Sequence, residues 1–386
     1  MAKRKNGEGT WGKKNIKGTT YVFYRDSNKK YTYGKTEKEV KEKLKKKSEK
    51  QKQLERIDSK TTFGEYIQNW LLTKKSSIED STYDCYETMI QSQILNFKEF
   101  DLGNVQLHNL SSNIFQRYLD SLANVYSRAT ISKIWVIIKE CVKYGEINEE
   151  LPYNTTKLVH VPKESSCKVK KKEVPFLSMD DANKLYEVSK ETFSNGQPIY
   201  GSNAKAVILI MYTGARVSEI VALKWKNVDI QNKIIKIKES TSEKKNREEN
   251  AENSYIKYDK STKTNNERNV PLPERAIEMI EWFDKQNPKH KQNDYVCLSS
   301  DGTQINRRNI NRTLKSMAKR ANCSVQDFSV HSLRHTYGSI LLSQGVEIKK
   351  VSELLGHSDI STTYNIYIGI LEKDKMSEVQ RVFNEI

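Results

Sequence analysis

Apolar positions change their spacing twice along this chain. Between residues 61 and 160 they recur with the helical period. Phe63, Tyr66, Ile67, Trp70 and Leu71 stand at i, i+3, i+4, i+7 and i+8, on one helix face. Three more stripes follow. Tyr83, Tyr86, Ile90 and Ile94 predict a helix from Ser81. Ile114, Phe115, Tyr118, Leu119 and Leu122 predict one from Ser111 or Ser112, and Ile131, Ile134, Trp135, Ile138 and Val142 one after Ser127. Four helices with short links predict a compact bundle with those aromatics in its core. Before residue 61 the pattern differs. Thr19-Thr-Tyr-Val-Phe-Tyr24 alternates and is rich in β-formers. Asp26-Ser-Asn-Lys-Lys30 reads as a turn, and Lys30-Tyr-Thr-Tyr33 as a second strand closed by Gly34. Thr36-x-x-Glu39 has the form of a capping box, opening a lysine-rich helix to about Arg56.

After residue 160 the pattern changes again. VPKESSCKVKKKEVP, residues 161–175, has prolines near both ends and five lysines, and reads as a linker. From Leu177-Ser-Met-Asp-Asp181 onward helices mix with a few strands. These are Lys233-Ile-Ile-Lys-Ile-Lys238 and the segment ending Arg268-Asn-Val-Pro-Leu272, with a long charged loop from Glu239 to about Asn253. Met376, Val379, Val382, Phe383 and Ile386 recur at helical spacing and predict a short amphipathic helix at the C-terminus. The expected organisation is a sheet-plus-helix domain over 1–60, a helical domain over 61–160, the linker, and a mixed α/β domain over 176–386. The fold class is multidomain, mainly α with small β-sheets.

Charge sharpens the picture at one end. The 386 residues include 66 Lys+Arg and 49 Asp+Glu, a net +17, and residues 1–60 alone carry 20 against 8. So large an excess implies a polyanionic partner, and nucleic acid is the commonest. A disordered basic tail is the simpler reading of residues 1–60, but the alternating strands argue for a small basic, aromatic sheet that reads a DNA groove. Its candidate contacts are Tyr21, Phe23, Arg25, Lys29 and Lys30, joined by Lys170, Lys171 and Lys172 of the linker. The longest apolar run, Ala206-Val-Ile-Leu-Ile-Met211, is far short of the ~20 residues of a membrane span. MAKRKNGEG has no apolar stretch after it, so no secretory signal is expected. Five scattered cysteines without a CxxC pair predict neither disulfide framework nor zinc finger.

Four clusters in the last domain carry candidate chemistry. In Thr213-Gly-Ala-Arg-Val-Ser-Glu219, Gly214 breaks the apolar helix and Arg216 opens the next, beside free backbone N–H groups that suit an anion. In His331-Ser-Leu-Arg-His-Thr336, His331 shares a helix face with Arg334 and His335. The histidine pair could hold a metal, but it lacks the glutamate of HExxH and a third ligand, so His335 reads as packed or capping. Leu354-Leu-Gly-His357 places Gly356 at a helix C-terminus and His357 on the turn beyond. Thr362-Thr-Tyr-Asn-Ile-Tyr367 follows, with two tyrosines.

In this order, Arg…HxxR…LGH…Tyr resembles the tyrosine recombinase (phage integrase) family, and most closely the integrases of Gram-positive conjugative transposons. The resemblance covers essentially the whole chain. It implies an arm-binding domain, a helical core-binding domain and an α/β catalytic domain. It places the catalytic arginines at Arg216 and Arg334, histidines at His331 and His357, and the nucleophile at Tyr367 rather than Tyr364. The family's β-hairpin lysine falls on Lys263, with Lys257 and Lys260 in the same lysine-rich stretch. The histidine often found two residues after the nucleophile is replaced by Gly369. The implied activity is site-specific recombination through a 3′-phosphotyrosyl intermediate and a Holliday junction, integrating and excising a mobile element. The implied partners are double-stranded DNA with core-type and arm-type sites and a homo-tetramer exchanging C-terminal tails, with room for an excision factor; the implied location is the bacterial cytoplasm and nucleoid.

The chemistry agrees with that resemblance. Attack on a phosphodiester builds charge on its non-bridging oxygens, which two guanidiniums can clamp bidentately. A tyrosine of ordinary pKa about 10 needs a base or a cationic field, and His331 is the favoured base. No cofactor is expected: no Asp/Glu constellation for Mg²⁺ and no GxxxxGK[ST] motif is visible. The competing readings are a type IB topoisomerase or chromosome-dimer resolvase of the same chemistry, and a DNA-binding regulator with an inactive recombinase fold. The basic first 60 residues count against a resolvase, and the complete residue set against an inactive regulator.

Overall fold

The computed structural model describes residues 9–56, 60–170, 175–248, 253–261, 267–324 and 328–367. The chain divides into two compact units, Met1–Lys171 and Lys172–Ile386. Lys171, Lys172, Lys263 and the C-terminal stretch read as an amphipathic helix lie outside the described residues.

The first unit begins with three antiparallel strands in sequential order, β1 (Thr10–Ile16), β2 (Thr19–Arg25) and β3 (Tyr31–Gly34), followed by α1 (Glu37–Arg56). The periodicity predicted two of these strands. β1 escaped it because TWGKKNI is exposed at all but one position and shows no alternation. Its pairing is set instead by the turn: Lys17 and Gly18 both have positive φ, 48° and 81°, as a two-residue hairpin loop requires. The cap on α1 is displaced by one residue from the expected box. Glu39 N–H donates to Thr36 Oγ1 at 3.2 Å, but the Glu39 carboxylate accepts from Lys35 N–H at 2.7 Å.

The bundle follows as α2 (Phe63–Lys74), α3 (Asp80–Met89) running into a π turn (Ile90–Leu95), α4 (Ser112–Leu122) and α5 (Arg128–Ile147). Ser111 and Ser127 cap α4 and α5, and Thr62 with Glu65 forms a full capping box on α2. Phe63, Ile67, Phe115, Tyr118, Ile134 and Ile138 fill the core. The start of the segment read as a linker is fastened to this unit. Cys167 is buried in the bundle core, and Lys168 N–H donates to Ala123 O at 2.8 Å.

The second unit is built around α7 (Gly201–Thr213), buried along most of its length, with α6 (Met179–Lys190), α9 (Glu274–Gln286), α10 (Arg307–Arg320) and α11 (Val330–Ser343) packed on it. A helix apolar all round needs neighbours on every side. α8 (Val217–Val221) follows α7, and α12 (Ile348–Leu355) follows α11; residues 360–367 are helical again. β4 (Val228–Asp229), β5 (Ile234–Ile237) and β8 (Arg268–Pro271) form one antiparallel sheet in that order.

The stretch expected as a charged loop begins as a strand. β6 (Glu239–Lys245) pairs antiparallel with β7 (Tyr255–Ser261), from Glu239 opposite Ser261 to Lys245 opposite Tyr255. Its charges concealed it from a hydrophobic pattern, yet they support the pairing: Glu243 faces Lys257 across the hairpin. The root is tied by side chains. Lys224 Nζ bridges Glu239 and Asp259 at 2.5 and 3.2 Å, and Asp259 also accepts from Thr241 and Tyr295. Among the described residues, no helix is long and apolar enough to cross a membrane.

Candidate active site

α12 ends at Gly356, whose φ of 63° turns the chain out of the helix. A helix C-terminus leaves carbonyls without partners and carries partial negative charge. Here three successive carbonyls accept from three arginines. Leu354 O takes Arg268 Nε at 2.9 Å, Leu355 O takes Arg334 Nη2, and Gly356 O takes Arg216 Nη2 at 3.1 Å. Arg334 is anchored a second time by Nη1 donating to Gly214 O at 2.9 Å. Gly214 has φ 63°, and a side chain there would collide with the Tyr337 ring, so the turn that presents its carbonyl requires glycine.

One carboxylate organises the group. Glu219 is buried and accepts from Arg216 N–H at 2.8 Å, from Arg216 Nη1 at 2.8 Å, and from both terminal nitrogens of Arg268 at 3.1 and 2.6 Å. Burial alone would raise its pKa, but the two guanidiniums hold it below the ordinary carboxylate value. Arg216 is thus the residue preceding α8 rather than a member of its first turn. Its guanidinium is partly exposed and lies near that of Arg334. Burial and the nearby Arg216 push Arg334 down to about 9, which still leaves it charged at neutral pH.

Two histidines flank the guanidiniums. His331 keeps an exposed edge, while partial burial and the charges of Arg334 and Arg216 hold its pKa below the ordinary value. His357 Nδ1 is fixed by Thr363 Oγ1 at 2.8 Å, and burial with the same two arginines pushes it down to about 4. His335 is buried, packs edge-on to His331 with ring centroids 4.7 Å apart, and is pushed down to about 4 by burial. Tyr367 is also buried, packed with Leu342, Val351 and Leu355. Burial pushes its phenol up to about 12, against the opposing pull of Arg334. Its hydroxyl has no hydrogen-bond partner among the described residues and rests against Gly338 of α11. Tyr364, one turn earlier, is exposed.

Residues 175–373, just over half of the chain, match the phage integrase family, and residues 62–123 match the phage integrase N-terminal SAM-like domain. The chain belongs to the phage integrase family. The tyrosine recombinase XerC-like protein of Caldanaerobacter subterraneus subsp. tengcongensis is 28% identical over 383 residues, covering 94% of each chain. The Tn1549 transposon integrase, in complex with a circular intermediate DNA, has the same fold with a TM-score of 0.64 at 16% identity, over 80% of this chain and 95% of that one. A lambda integrase from a tetramer bound to a Holliday junction gives a TM-score of 0.59 at 14% identity, over 94% and 96%. A member of this family is a DNA recombinase of the tyrosine class, which is the class that the motif order implied.

Of the residues singled out in the sequence, this chain brings Arg216, His331, Arg334, His357 and Tyr367 into one neighbourhood. The sheet residues form a separate group in the first unit. Tyr21, Phe23 and Arg25 alternate onto one face of β2, where Phe23 packs against Tyr31 and Tyr33 and Arg25 lies over the Tyr31 ring at 5.5 Å. The opposite face meets α1, through Val40 against Gly34. Lys29 and Lys30 are exposed on the following turn. Lys170 Nζ donates to the carbonyls of Glu164 and Ser165, at 3.1 and 2.8 Å. Sequence reasoning passed over Glu219 and Arg268 as site residues. Glu219 lay inside a quoted motif, three residues from Arg216, and that spacing was the available signal.

Proposed function

We propose that this recombinase cuts and rejoins DNA at specific sites through Tyr367, with Arg216 and Arg334 holding the scissile phosphate. The observation that carries the reading is the paired guanidiniums, anchored on the α12 carbonyls beside two histidines and a tyrosine. Three guanidiniums against one carboxylate leave a net positive site for a phosphodiester. In the step, Tyr367 Oη attacks phosphorus and the bond to the 5′-oxygen breaks. His331, kept neutral by its depressed pKa, accepts the phenol proton. The leaving 5′-oxygen takes a proton from Lys263. The 3′-phosphotyrosyl ester retains the bond energy, so a 5′-hydroxyl from a second duplex reverses the step and completes strand transfer without ATP. The guanidiniums supply the charge stabilisation, and no metal is invoked.

The partner is double-stranded DNA. The aromatic and basic face of the N-terminal sheet, turned away from α1, is the element we assign to arm-type sites, and the helical bundle and second unit to core-type sites. Strand exchange between two duplexes uses four protomers, as in the lambda integrase tetramer, with exchange of C-terminal tails closing the ring. The likeness to a transposon integrase supports integration and excision of a mobile element as the biological role.

A duplex nicked near the cleavage point tests the assignment. Wild-type protein should accumulate a covalent 3′ adduct that maps to Tyr367 and forms equally in excess EDTA. Tyr367→Phe should abolish the adduct and retain DNA binding. An adduct on Tyr364, or cleavage that stops in EDTA and returns with Mg²⁺, would overturn it.

A further inference from the structure

We propose that Arg268 is a positioning residue for strand cleavage: it neutralises Glu219 so that Arg216 keeps its charge for the phosphate. The inference deepens the reading above and rests on it. Arg268 opens β8, opposite Ile237 of β5, and its side chain is only 9% exposed. Its planar fork meets both oxygens of Glu219, Nη1 to Oε1 at 3.1 Å and Nη2 to Oε2 at 2.6 Å. Its third nitrogen, Nε, donates to Leu354 O at 2.9 Å. A lysine has no planar fork with which to make this pattern. A Cβ on Gly356 would lie 2.9 Å from Arg268 Nη1, so the glycine turn leading into His357 closes directly over this guanidinium.

The charge count gives Arg268 its function. Glu219 Oε1 also accepts from Arg216 Nη1 at 2.8 Å. With Arg216 as its sole counterion, Glu219 would form a closed, neutral pair. The attraction of Arg216 for a phosphate would then be spent on a neighbour. Arg268 supplies the second cation, so one buried carboxylate orients Arg216 without cancelling it. The same side chain ties together α8 through Glu219, the end of α12 through Leu354, and β8, the strand that it opens. It touches no reacting atom in this arrangement and acts through Glu219 and Arg216.

The test uses the full-length chain and the nicked duplex under single-turnover conditions. Arg268→Met should slow adduct formation at saturating protein by about thirty-fold or more. Affinity for uncleaved duplex, measured with Tyr367→Phe also present, should change by less than about threefold. Arg268→Lys, which keeps the charge and loses the fork, should recover part of the rate. Glu219→Gln added to Arg268→Met should also recover part, because the neutral amide no longer claims Arg216. A purely structural role predicts the reverse, with the two losses adding and lysine failing to rescue. Should Arg268→Met melt below the assay temperature, Arg268→Gln with and without Glu219→Gln makes the same comparison. A wild-type rate in Arg268→Met, or a double variant no faster than the single one, overturns the proposal. Failure of the wild-type protein to form any adduct would instead overturn the assignment of Tyr367.

Discussion

Tyr367 lies with its hydroxyl against the α carbon of Gly338, in a pocket that gives it no hydrogen bond among the described residues. Two neighbouring buried polar atoms, His335 Nδ1 and Ser339 Oγ, also lack a partner there. A buried, unsatisfied hydroxyl costs about 1–3 kcal/mol, so this resting place holds the tyrosine by packing and resists it by polarity. Its pKa of about 12 keeps the phenol protonated. In the proposed reaction the ring must therefore leave this contact with Gly338 before its hydroxyl can attack. Gly338→Ala would place a methyl group inside the ring's contact distance. Thermal melts should show a destabilisation of about 1–3 kcal/mol, the usual range for overpacking. With Tyr367→Ala also present, the methyl group has room and the penalty should shrink. Equal penalties in both backgrounds would show that the ring rests elsewhere.

At the level of elements, the N-terminal sheet presents two unlike faces. One packs on α1, and the other carries Tyr21, Phe23, Arg25, Tyr31 and Tyr33. Residues 1–60 also hold most of the chain's net positive charge, 20 Lys+Arg against 8 Asp+Glu, a net +12 of +17. Counterion release makes each phosphate contact visible as salt dependence. Deleting residues 1–60 should abolish binding to arm-type DNA, flatten the salt dependence of binding to full-length ends, and leave cleavage of core-site duplexes intact. An unchanged affinity across salt concentrations would return these residues to the status of a passive basic tail. The β6–β7 hairpin shows why charged strands are hard to read. Its register depends on Lys224 beneath it and on Glu243 facing Lys257, interactions between positions far apart in the sequence.

For the molecule as a whole, the site histidines link folding to pH. His335 and His357 are pushed by burial to about 4, from an unfolded value near 6.5. A depressed histidine stays neutral in the folded chain while the unfolded chain binds a proton. Stability is therefore full above about 6.5 and falls as pH drops towards 4. Melts of the intact protein between pH 7 and 4.5 should show that decline, and His335→Asn or His357→Asn should each flatten it. A slope unchanged by both substitutions would place the acid sensitivity in other groups.

Local periodicity was enough to mark the four bundle helices and the serine caps of α4 and α5, because those residues speak to neighbours three and four positions away. Motif order was enough to indicate the recombinase family, because Arg216, His331, Arg334, His357 and Tyr367 each sit in a short segment with its own turn chemistry. What the sequence could not determine is how those segments meet. Glu219 and Arg268 stand 49 positions apart, and Arg268 and Leu354 stand 86 apart. Nothing in either local pattern predicts that three guanidiniums converge on three carbonyls at one helix end. Nor does it predict that Tyr367 rests beneath α11 while Tyr364 faces water. Those contacts arise when α7 gathers its neighbours and brings the α12 terminus over β8. The charge balance of the site is therefore a property of the tertiary structure alone.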